Sequence, residues 1–245
     1  MPTTGSDRPA GSTKPLPGPL LALIDKAVAT ADALADKRIA DHRRKHPDDR
    51  PSHLITRLEK EFTALTVTTG AGTGAAAAVP GIGLPLALTA AGGDALVFLT
   101  AAATHGLAVA RVHGSRVGDI EHQRTLLLGI LLGSNGTKVV LNTAGRAGMH
   151  WGQMLGETIP VRVLKEINRL LGNQLLKRYG PRAGVLFFAK AFPLGIGAII
   201  GGGGNLAMAR QVINSTRDAF GDPPHDWDVV AAPAPDTSAD EDDAV

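Results

Sequence analysis

Forty-nine consecutive residues, Phe62 to Ala110, carry a single formal charge, Asp94. A helix without a charged face is stable only when other helices or lipid cover it. The tract is broken once, by the turn Pro80-Gly81-Ile82-Gly83-Leu84-Pro85. Before the turn it is Ala, Thr and Gly; after it come Leu84, Leu86, Leu88, Leu96, Val97, Phe98, Leu99, Leu107 and Val109. Proline lacks the N–H that would continue a helix, and glycine permits the reversal. The tract therefore predicts two helices joined by a Pro/Gly turn, with Pro80, Gly81 and Gly83 at the bend.

A second apolar stretch, Ala183 to Ala209, is charged only at Lys190 and is broken by Pro193-Leu194-Gly195-Ile196-Gly197. Its turn residues Pro193, Gly195 and Gly197 mirror the first turn. Gly81-Ile82-Gly83 leads to Gly92-Gly93-Asp94, and Gly195-Ile196-Gly197 leads to Gly203-Gly204-Asn205. The offsets differ by about one helical turn, so Asp94 and Asn205 fall on comparable faces. This reads as a duplicated helical hairpin, or as coincidence in a chain rich in Gly and Ala. In the first reading Asp94 packs against the second hairpin and contacts Asn205 or Lys190, because an unpaired buried carboxylate is too costly to stand.

The other segments follow from periodicity and punctuation. Leu20, Leu21, Ile24, Ala27, Val28, Ala31, Leu34, Ala35 and Ile39 lie at helical spacing, ending in Lys37, Arg38, Arg43, Arg44 and Lys45. Asp48-Asp49-Arg50-Pro51 marks a helix start. Gly114 stops the long helix after the first turn, and Asp119 and Glu121 open a short one ending at Gly133. Gly148, Gly152 and Gly156 recur every four residues, a flat stripe if that segment is helical. Thr158-Ile159-Pro160 starts an amphipathic helix with Val161, Leu164, Ile167, Leu171, Leu175 and Leu176 on one face. Arg162, Lys165, Arg169, Lys177 and Arg178 lie mostly off that face, and Arg182 and Lys190 follow. From Glu157 to Lys190 seven bases face two acids, a net +5. The expected fold is all-α, with seven to eight helices in one domain at 18–221. It lies between an N-terminal segment without structure (1–17) and an acidic, structureless tail (222–245).

The order of these elements resembles the EcsC protein family. The likeness rests on the Ala/Gly tract before Pro80-Gly81-Ile82-Gly83, on Gly93-Asp94 and on Leu131-Leu132-Gly133. It continues in Leu164-Lys165-Glu166-Ile167-Asn168-Arg169, Gly180, Lys190-Ala191-Phe192-Pro193-Leu194-Gly195 and Gly204-Asn205. It spans about residues 47–215. The resemblance implies a helical, membrane-associated protein, accessory to transport or envelope processes and without an established reaction. The Thr/Gly-rich run before Pro80 and the acidic tail depart from the family's pattern.

Charge limits the partners. The tail holds eight of the 23 acids and no Lys or Arg, so residues 1–221 carry 25 bases against 15 acids, a net +10. A basic body suits an anionic partner. With one Tyr and two Trp, stacking residues for nucleic acid are scarce. An anionic membrane surface or a membrane protein, such as a transporter, is the expected partner, met through Arg162, Lys165, Arg169, Lys177, Arg178 and Arg182. The start of the chain has no secretory pattern, which points to the cytoplasmic side. Lys60 and Arg57 precede the central tract and Arg111 and Arg116 follow it, so an inserted hairpin would enter and return. Asp94 at mid-membrane would cost roughly 2.5–3.5 kcal/mol. The alternative is a soluble helical module that binds a hydrophobic ligand or partner helix between its hairpins.

No motif names a reaction, cofactor or metal. With no cysteine, thiolate chemistry and disulfides are excluded. Thr69-Gly70-Ala71-Gly72-Thr73-Gly74 looks like a dinucleotide loop, but Pro80 cuts the helix that loop requires. His42 and His46 lie among bases that repel a cation. His105, His113 and His122 with Asp119 and Glu121 fit no common metal spacing, and His105 reads as a hydrogen-bonded core residue.

Overall fold

The computed structural model describes residues 16–77, 83–145, 150–156, 159–179 and 203–227, with side chains defined outside 69–94, 179, 203 and 204. The fold is all-α, with eight helices and no strand among the described residues. They are α1 (Gly18–Lys45), α2 (Pro51–Ala77), α3 (Gly83–Val112), α4 (Ile120–Leu132), α5 (Ser134–Ala144), α6 (Trp151–Met154), α7 (Val161–Tyr179) and α8 (Gly203–Phe220).

α3 is the axis. α1 and α2 pack along it, α4 and α8 close its remaining sides, and α7 lies on α4 and α5. α1 buries Leu20, Ile24, Ala27, Val28, Ala31 and Ala35, one stripe at i, i+3 and i+4 spacing. The alanines in that stripe let α1 lie close to α3, where Ala102, Ala103, Ala108 and Ala110 are likewise buried. α4 has no polar face from Leu126 to Leu132, and the whole run is buried. Asp119 caps it, its Oδ1 accepting from the backbone N–H of Glu121 and His122. Gly133, at φ 62°, ends it.

Ion pairs fix the crossings. Arg111 of α3 reaches Asp32 of α1 at 2.6 Å and Asp36 at 3.2 Å. Arg124 of α4 reaches Asp25 at 2.7 Å. Arg217 of α8 makes a two-pronged pair with Glu59 of α2, at 2.7 and 2.6 Å. Inside the bundle, Thr125 donates to Asn168 at 2.8 Å, and Asn168 donates to the Glu121 carboxylate at 2.8 Å, joining α4 to α7.

Two expectations change. The glycine stripe is not one helix: α5 ends at left-handed Gly145, and a separate short turn, α6, seats Trp151 in the core. Gly152 faces Phe220 and Gly156 faces Ser115, while Gly148 lies outside the described residues. The glycines serve close approach, but to different partners. The acidic segment expected to lack structure from residue 222 is docked as far as Trp227. The Trp227 indole donates to the Asp49 carbonyl at 2.9 Å, and Arg43 covers its ring at 4.5 Å. One aromatic residue anchors the start of a tail that carries eight acids and no Lys or Arg.

Candidate functional site

A groove of about 390 Å³ opens between α1, α2 and α3. Its volume lies in the range of small-molecule sites, roughly 300–1,000 Å³. Phe62 and Leu65 of α2, Leu96 and Val97 of α3 and Leu34 of α1 make its walls. Leu65 and Val97 are 36% and 41% exposed, unusual for large apolar side chains beside a core. Thr30 and Thr104 also line it, but their hydroxyls donate to the carbonyls of Lys26 and Thr100 in their own helices. The rim carries Lys26, Arg38 and Glu61. Arg38 pairs with Glu61, and the same carboxylate meets His42 Nε2 at 3.1 Å.

His105 lines the inner end of this groove. It is 4% exposed and stacks on Phe62, with ring centroids 5.2 Å apart and 12° between planes. Among the described residues neither Nδ1 nor Nε2 has a hydrogen-bond partner. Burial, and secondarily the nearby Arg217 guanidinium, push its pKa down to about 4. The ring is therefore neutral at pH 7, with one N–H donor and one lone pair unused. The expectation of a core residue holds for His105, whereas the expectation of a hydrogen bond does not. On the groove side the ring meets apolar side chains, and on its other side the charged groups Glu59 and Arg217 are paired with each other.

The same ring borders a second cavity of about 560 Å³ between α2, α3 and α8, with His113, His150, Glu59 and Arg217 on its walls. His113 Nδ1–H donates to the Val109 carbonyl at 2.9 Å, and its Nε2 is buried without a partner. One imidazole thus stands between an apolar groove and a cavity of mixed lining that carries charged groups.

The residues singled out from the sequence are dispersed. Asn205 is buried, and its Nδ2 donates to the Thr66 carbonyl of α2 at 3.3 Å, so α8 does meet the first hairpin. Its expected partners, the Asp94 side chain and Lys190, lie outside the described residues, as do the turn residues Pro80, Gly81, Pro193, Gly195 and Gly197. Gly83 is the first residue of α3. On α7, Arg162, Lys165, Arg169 and Lys177 are exposed; Arg182 lies outside the described residues. Arg169 pairs with Glu166 and holds that carboxyl below its usual range. Arg178 is exposed as well, and its guanidinium also donates to the Leu132 carbonyl at the C-terminal end of α4 and to Gln211, each at 3.4 Å.

Among the described residues no three His, Asp or Glu side chains gather as a metal site. His46 caps the C-terminal end of α1, its backbone N–H donating to the His42 carbonyl at 2.9 Å, while His42 Nε2 is engaged by Glu61. The groove walls come from three segments, and no motif in the sequence marks them. The available signal was His105 itself, a lone imidazole in the uncharged tract. No family model, curated protein or solved structure matches this chain.

Proposed function

We propose that the protein is a non-enzymatic helical binding module that takes up a small apolar molecule in the groove between α1 and the α2/α3 pair. The observation that carries this is an open apolar cavity whose inner end holds a buried imidazole with both nitrogens unpaired. A well-formed apolar pocket with a polar group of perturbed pKa is the arrangement from which ligand sites are built. A naphthylamine dye that brightens in apolar surroundings tests it. The full chain should bind the dye. Ala101→Trp, which fills the groove, and Val97→Glu, which charges its lip, should each weaken binding at least tenfold while remaining folded. Unchanged binding in both variants would overturn the reading.

A second reading, attachment to an anionic membrane surface on the cytoplasmic side, is favoured by the exposed bases of α7. Each Lys or Arg near such a surface contributes about 1 kcal/mol. The resemblance to EcsC proteins gives this reading its setting, accessory work beside a transporter. The one described helix long and apolar enough to span, Ala95–Val112 with mean hydropathy 1.6, is 67% buried inside the bundle. That burial favours surface attachment over insertion of this segment. Flotation with anionic vesicles should fail for Arg162→Glu combined with Lys165→Glu and Lys177→Glu. Unchanged flotation of that variant would exclude α7 as the contact.

A further inference from the structure

Resting on the groove reading above, we infer that the ligand is an uncharged amphiphile: an apolar chain along Phe62, Leu65, Leu96 and Val97, ended by one hydroxyl or carbonyl that hydrogen-bonds to His105. The walls and the inner end of the groove differ in chemistry. The walls offer mostly apolar carbon: the hydroxyls of Thr30 and Thr104 are already bonded to their own helices, and Thr100 adds one further hydroxyl. His105 offers a donor and an acceptor, both without partners. A buried polar group left unpaired is unfavourable, and a ligand that supplies the missing bond removes that penalty on binding. A hydroxyl satisfies either nitrogen, and a carbonyl satisfies the N–H. An ionised carboxylate or phosphate does not fit the inner end. The neutral ring brings no countercharge, the nearby Arg217 is committed to a two-pronged pair with Glu59, and the cations Lys26 and Arg38 stand at the rim, where Arg38 already pairs with Glu61. An alkane leaves the imidazole as unsatisfied as in the empty protein.

Competition against the same dye separates this inference from the reading beneath it. Octanol, octane and octanoate are titrated into the wild-type chain, His105→Leu and His105→Gln. Octanol should compete with wild type, and His105→Leu should raise the concentration needed about tenfold or more while octane competes as well or better. His105→Gln, which keeps a donor and an acceptor, should restore part of the octanol affinity. Octanoate should compete more weakly than octanol. If octanol and octane respond alike to His105→Leu, or if octanoate is the strongest competitor, this inference falls and the groove reading stands. If the dye does not bind, or none of the three competes, both fall.

Discussion

Replacing His105 by leucine should make the protein more stable, and increasingly so in acid. Two contributions set the size. At pH 7 the neutral ring is 4% exposed with two unpaired nitrogens. An unsatisfied buried group costs about 1–3 kcal/mol, and leucine removes that cost while keeping most of the volume. Loss of the stacking on Phe62 subtracts part of the gain, leaving about 1 kcal/mol. The second contribution is linkage. The folded pKa of about 4 lies below the ordinary value of 6.5, so between these pH values the unfolded chain binds a proton that the folded chain refuses. Stability therefore falls as pH drops through 6.5 toward 4. At about 1.36 kcal/mol per pH unit, the loss reaches roughly 3 kcal/mol at pH 4. His42, whose pKa burial and then Arg57 also lower, contributes in the same direction. It is present in both proteins and cancels in the difference. Urea unfolding at pH 7, 5.5 and 4.5 measures that difference. It should grow from about 1 kcal/mol to several. A leucine variant less stable at every pH, with the acid slope of wild type, would refute the description of His105 as neutral and unpaired.

Three further outcomes follow from the packing. Arg217→Met leaves the Glu59 carboxylate, 10% exposed, without its guanidinium, and should cost about 1–3 kcal/mol in urea unfolding. Truncation after Gly221, or Trp227→Ala, removes the indole bond to Asp49 and the contact with Arg43. Either change should lower the melting temperature by a few degrees, about 1 kcal/mol, in a calorimetric scan. Gly136→Ala places a methyl against the Gly129 backbone where α5 turns away from α4, and the chemical denaturation midpoint should fall clearly.

The elements were readable where one residue decides a local event. Pro51, Asp119 and Gly133 punctuate helices in the structure as their chemistry requires. The stripe of α1 and the unbroken apolar run of α4 announced one-sided and complete burial respectively. What escaped depends on residues distant in the chain. Glu59 and Arg217 are separated by 158 positions, and Asp49 and Trp227 by 178. No periodicity encodes such meetings. Arg178 shows the same limit in part, since helical spacing placed it on the exposed basic face, where it lies, but gave no sign of its bonds to Leu132 and Gln211. The groove is the plainest case: three helices each contribute a face that, taken alone, reads as ordinary core.

The central claim is that the groove, with His105 at its inner end, is where a ligand binds. Nuclear magnetic resonance of protein carrying labelled imidazole nitrogens and labelled Leu and Val methyl groups tests it most directly. On adding octanol, the His105 nitrogens and the methyls of Leu65, Leu96 and Val97 should shift together, saturating with one affinity. Shifts confined to residues outside the groove, or none at His105 while octanol binds elsewhere, would contradict it.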